Sequence, residues 1–131
     1  MPTNDLKIKQ ITSVLIVDAI EPTLDLWEKK LGFQRVAEVP HEGRLGFVIL
    51  VRDAAQVMMQ TRASLEVDLP KVAKRAPTSV LYVDVEALDP AAKAIAEATV
   101  IVPERKTSYG AREIWIQDAA GQIVGFAEHH R

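Results

Sequence analysis

The residues best equipped for chemistry lie late in the chain, in the run Tyr109-Gly110-Ala111-Arg112-Glu113-Ile114-Trp115 and in the terminal pair His129-His130. On an extended strand Glu113 and Trp115 share a face with Gln117, while Ile114 and Ile116 point the other way. His129 alternates with Gly125 and Ala127, which directs it toward a strand rim, so Glu113 with His129 is the acid–base pair this sequence allows. Further candidates come from three earlier strands. Thr12, Val14 and Ile16 share a face, as do Thr78, Val80 and Tyr82, and as do Gln56, Met58 and Gln60. Tyr82, Trp115 and Met58 would stack on or adapt to a flat, greasy molecule, and Glu113, Gln60 and Arg112 would fix its polar groups. Thr12, Val14, Thr78 and Tyr109 complete the candidate ligand-binding set. Taken singly, Met58, Tyr82 and Trp115 fit an ordinary core equally well.

Much other chemistry is excluded by composition. The 131 residues contain no cysteine, which removes disulfides, thiolate metal sites and a Cys nucleophile. No phosphate loop, G-x-S-x-G elbow or H-E-x-x-H motif is present. His41 falls in a polar turn and His129-His130 near the end, so all three histidines read as surface residues. Sixteen Lys+Arg against 18 Asp+Glu leave a net charge of −2, with no basic footprint for nucleic acid. No apolar run approaches the ~20 residues of a membrane span, and the start lacks a signal-peptide core, so a cytoplasmic address is expected.

The elements that position these residues come twice. Residues 12–18 read T-S-V-L-I-V-D and residues 78–84 read T-S-V-L-Y-V-D, an offset of 78 − 12 = 66. Asp53-Ala54-Ala55-Gln56-Val57 matches Asp118-Ala119-Ala120-Gly121-Gln122-Ile123 in the same order. A tandem duplication explains both. Each copy reads as βαβββ: a strand over Val14–Val17, a helix opened by Pro22 with Leu24, Trp27 and Leu31 on one face, then three strands. In the second copy Asp89 is the expected cap of a helix carrying Ala91, Ala94, Ile95 and Ala98 on one face. Arg105–Gly110 reads as a polar loop. Module 1 covers about 10–61, a linker about 62–76 without clear periodicity, and module 2 about 77–129, all within one domain.

This pattern resembles the vicinal oxygen chelate superfamily of glyoxalases, extradiol dioxygenases and bleomycin resistance proteins. The resemblance rests on Leu24-Asp25-Leu26-Trp27 through Leu31-Gly32-Phe33, similar to the family's "SLxFYxxxLGF" helix. Val57-Met58-Met59-Gln60 looks like its "VMLQ" strand, Tyr109–Glu113 like "YGxRE", and Asp118–Gln122 like "DPDGN" with Ala119 and Ala120 in place of Pro and Asp. It implies an α+β fold in which tandem βαβββ modules build a curved eight-stranded mixed sheet around a cleft, helices outside.

The resemblance also implies where a divalent metal would sit. The family's ligand positions fall on Thr12, Thr78, Met58 and Gly125, which offer two hydroxyls, a thioether and a hydrogen. No charge there repays dehydration of the ion, so neither metal nor other cofactor is expected. The sequence therefore reads as a metal-independent protein, close in type to bleomycin resistance proteins, that sequesters a small aromatic or amphipathic molecule and pairs as a homodimer. Two alternatives stay open: a metal-dependent glyoxalase-like lyase, isomerase or dioxygenase using Glu113 or Glu128, and a structural or regulatory domain without ligand.

Overall fold

The computed structural model describes residues 5–130. Its strands are β1 Ile8–Val17, β2 Gln34–His41, β3 Arg44–Arg52, β4 Ala55–Thr61, β5 Ser79–Val85, β6 Thr99–Lys106, β7 Ala111–Gln117 and β8 Ile123–His129. They form one mixed sheet in the order β2-β3-β4-β1-β5-β8-β7-β6, an α+β fold. The chain divides into two compact units, Thr12–Ser79 and residues 80–130 with 5–11, so β1 contributes to both.

In the Thr12–Ser79 unit, β2, β3 and β4 are antiparallel and β1 joins β4 in parallel, with Val14 opposite Met58 and Ile16 opposite Gln60. Leu15, Val17, Leu24 and Trp27 pack on a core of Ile20, Val48, Leu50, Val57 and Met59, which places Leu15 and Val17 on the helical side as alternation requires. The expected helix is not a regular one. A 3-10 turn, Glu21–Thr23, runs into a π-helical turn, Asp25–Lys30, closed by Leu31 N–H on the Leu26 carbonyl five residues back. The wider turn rotates Leu31 off the packed face, and Leu31 is exposed.

The linker is also helical, over α1 Arg62–Asp68 and α2 Pro70–Ala73. Thr61 caps α1 by accepting the Ser64 N–H on its hydroxyl at 3.1 Å, and Leu65, Leu69 and Val72 are buried. That i, i+4, i+7 spacing was present in the sequence, but the two prolines and the charges obscured it.

In the second unit, β5 and β8 are parallel and β7 lies antiparallel between β8 and β6. Val83, Val85, Ile114 and Ile116 face Leu88 and Ala91 of α3, Leu88–Ala94. Ala87, not Asp89, occupies the cap position, and the capping oxygen comes from β8: Glu128 Oε1 accepts the Leu88 N–H at 2.7 Å. The face of α3 that packs inward carries Leu88, Ala91 and Ala92, followed by Ile95, so Ala94 turns to solvent. β6 extends through Lys106, so Arg105 belongs to a strand and not to the expected loop. Ladder register preserves the duplication: Ile16 faces Gln60 in one unit and Tyr82 faces Gly125 in the other, offsets of 82 − 16 = 66 and 125 − 60 = 65. Gln60 is therefore the counterpart of Gly125, two residues from the Met58 that the motif carry-over selects.

Candidate functional site

Glu113 sits in the middle of β7 with no exposed surface. An ionised carboxylate in such a place must be surrounded by donors, and it is. Tyr82 donates its hydroxyl to Oε2 at 2.5 Å, and Tyr109 donates to the same oxygen. Trp115 Nε1 donates to Oε1 at 3.0 Å, and Arg105 donates to Oε1 through Nε at 3.1 Å and Nη2 at 2.9 Å. Each donor arrives by sheet geometry. Trp115 is two residues along the same strand, Arg105 is directly opposite in the β6–β7 ladder, Tyr82 stands on β5, and Tyr109 reaches over from the turn before β7. Burial is the largest single influence on Glu113 and pushes its pKa up. The hydrogen bonds from Tyr109, Tyr82 and Trp115, with the charge of Arg105, outweigh it and hold the carboxyl below its ordinary value. The Tyr82 phenol moves well above its usual range because burial and the Glu113 charge both oppose the phenolate.

The network continues outward through Tyr82, whose oxygen lies 3.1 Å from His129 Nε2. Tyr82 has one proton and gives it to Glu113, so toward His129 it accepts. His129 must then carry hydrogen on Nε2, and that same N–H faces Asp84 Oδ1 at 3.2 Å. Burial raises the Asp84 pKa above the ordinary value, against the charge of His129 in its protonated form and that of Lys9. Tyr109 stacks on His129 with ring centroids 6.3 Å apart, and Tyr82 meets it edge-on at 5.8 Å. Glu113 and His129 are thus linked through Tyr82 and do not form the direct pair expected of them.

Trp115 lies across Gly125 on β8. A Cβ built on Gly125 would stand 2.6 Å from the indole ring, so the ring occupies the space any larger residue at that position would need. At the rim, Lys9, Gln10, Asp84, Val85 and His129 line a cleft of about 290 Å³.

Not every candidate joins this cluster. Tyr82, Tyr109, Glu113, Trp115 and His129 do. Arg112 does not: adjacent strand residues point to opposite faces, and with Glu113 turned inward Arg112 pairs with Glu104 at 2.7 Å, Asp89 at 3.3 Å and Glu128 at 3.7 Å. Thr12, Val14, Met58, Gln60 and Thr78 belong to the Thr12–Ser79 unit. There Thr12 is buried and its hydroxyl accepts from Gln56 Nε2 at 3.1 Å, Gln60 donates to the Ser64 hydroxyl at 3.1 Å, Val14 and Met58 are buried partners in the β1–β4 ladder, and Thr78 is exposed. Two participants were missed, Arg105 and Asp84. Asp84 had a signal, since it closes the repeated V-D dipeptide and shares the face of Tyr82.

Residues 7–126 match the family model of the Glyoxalase/Bleomycin resistance protein/Dioxygenase superfamily. The chain belongs to that superfamily. No curated protein matches it. Among solved structures it is similar to a superfamily member from Vibrio splendidus 12B01 at 20% identity, covering 93% of this chain and 99% of that one with a TM-score of 0.70. It is also similar to methylmalonyl-CoA epimerase from Mycobacterium tuberculosis at 18% identity, covering 100% and 93% with a TM-score of 0.68. Both likenesses concern the fold.

The divalent metal that this family's resemblance implies does not fit the residues carried to its positions. Thr12 spends its hydroxyl on Gln56, Met58 offers a thioether, Thr78 is a lone hydroxyl, and Gly125 lies beneath the Trp115 ring. Gln60, its register counterpart, supplies only a neutral amide already bonded to Ser64.

Proposed function

We propose that this superfamily member binds a small aromatic or amphipathic molecule and holds it without a metal centre. The observation that carries the proposal is the Trp115 indole over Gly125: where the family resemblance places a metal ligand, this chain has a flat apolar ring and no room for a donor. Trp115 and Tyr82 are buried, Tyr109 and His129 carry the aromatic cluster out to solvent, and Glu113 with its donors holds the rings of Tyr82, Tyr109 and Trp115 in fixed orientations. Glu113 itself is a poor base, because five hydrogen bonds occupy its oxygens and its charge is stabilised. Sequestration thus accounts for the site better than proton transfer by Glu113, and we extend the proposal to a paired, homodimeric chain.

The test combines metal analysis of protein purified without added ions with a binding panel. Trp115 and Trp27 report on binding through their fluorescence. The expected result is substoichiometric metal and saturable quenching by aromatic compounds, accompanied by a raised Tm. A stoichiometric bound ion, or a panel of aromatic compounds that neither quenches nor stabilises, overturns the proposal.

A further inference from the structure

We infer that the cleft lined by Lys9, Gln10, Asp84, Val85 and His129 is a receptor for a zwitterionic head group, a primary ammonium and a carboxylate carried on one small molecule. The assignment rests on the binding proposal above and adds the polar end of the ligand.

The cleft places opposite charges on neighbouring strands. Glu86 N–H donates to the Lys7 carbonyl at 3.0 Å, which seats the start of β1 beside the end of β5 and brings Lys9 near Asp84. Lys9 influences Asp84 through its charge, yet among the described residues no salt bridge joins the two. An unbridged cation and a partly buried carboxylate bordering one hollow are complementary to a molecule with the reverse pair of charges.

His129 adds a directional contact. Its Nε2–H is committed to Asp84 and Tyr82, which in the neutral form of the ring leaves the lone pair on Nδ1. A ligand ammonium between Asp84 and His129 finds two acceptors, Asp84 Oδ2 and Nδ1, while the ligand carboxylate turns to the Lys9 ammonium. Gln10 can serve either end, and Val85 gives an apolar wall. Stacking of Tyr109 on His129 fixes the ring plane and sets an aromatic face beside the ammonium position. A volume of about 290 Å³ suits an amino-acid-sized ligand.

Isothermal titration of the full chain with L-phenylalanine, phenethylamine, 3-phenylpropanoate and uncharged 2-naphthol tests this. The amino acid is expected to bind at least roughly tenfold tighter than the amine or the acid. Lys9→Met should reduce the amino acid to the level of the amine and leave 2-naphthol binding unaltered, and Asp84→Asn should reduce the amino acid to the level of the acid. Lys9 is exposed, so its variant stays informative even where Asp84→Asn fails to fold. Equal affinity for the three charged compounds, no binding by any of them, or an unchanged Lys9→Met titration overturns the head-group assignment. Where 2-naphthol binds and the amino acid does not, the aromatic-binding proposal stands and the zwitterion receptor falls. Where neither binds, both fall.

Discussion

Arg105 faces Glu113 directly across the β6–β7 ladder and grips one carboxylate oxygen with two of its nitrogens, at 3.1 and 2.9 Å. Glu113 is wholly buried while the Arg105 side chain keeps 22% of its surface, so the pair is anchored on the carboxylate side. An amide in place of the carboxylate keeps one acceptor oxygen for two buried donors, the hydroxyl of Tyr82 and the indole N–H of Trp115, and turns an NH2 donor into the same space. Glu113→Gln is expected to destabilise by about 2–4 kcal/mol. Urea midpoints will show whether Glu113→Gln combined with Arg105→Met costs less than the sum of the single changes by at least about 1 kcal/mol, as a coupled pair requires.

The same carboxylate sets a pH dependence. Its folded pKa lies below the ordinary value, so Glu113 contributes stability above the unfolded carboxylate range near ~4.3 and loses it as pH falls through the lower folded value. Urea midpoints measured downward from neutral should therefore fall in the acid range. The Glu113→Gln variant should show a shallower decline, and an unchanged slope would contradict an ionised, network-held Glu113.

The contact between Trp115 and Gly125 makes a steric prediction. Gly125→Ala puts a methyl 2.6 Å from a ring that cannot yield like a flexible chain end. The expected cost is about 1–3 kcal/mol, with a change in the near-ultraviolet signal of Trp115. Adding Trp115→Leu should recover part of the loss in thermal melts, because the clashing ring is then gone.

How far the sequence foretold this site depends on whether a side chain's direction follows from local periodicity. Alternation put Glu113 and Trp115 on one face of their strand and Tyr82 with Val80 on one face of its own, and the 66-residue repeat foretold eight strands in two βαβββ copies. Arg105 escaped because its strand has irregular register, shifting between Val100 and Val102 and again between Val102 and Arg105, so no uniform alternation runs to it. The π-turn at Asp25–Lys30 escaped because its ring closure depends on tertiary packing, not on residue spacing. The cap of α3 escaped because its oxygen comes from Glu128, forty residues away along the chain.

Arg112 separates the two readings of the β7 arginine most sharply. Had it fixed a polar group of the ligand, as expected from the sequence, Arg112→Ala would weaken binding. The structure turns it outward onto Glu104, Asp89 and Glu128, the last of which also holds the first turn of α3. Glu104 has its pKa lowered by the hydrogen bond from Arg112, but that carboxylate is open to solvent, where water screens the pair. Arg112→Ala should therefore change the urea midpoint little and leave the affinity for 2-naphthol unchanged. Arg105→Met, in contrast, removes a group that holds Glu113 and hence Tyr82 and His129 in place, so it should weaken both stability and binding. Parallel titrations of the two variants decide the matter, and a binding defect confined to Arg112→Ala would return the ligand to the opposite face of β7.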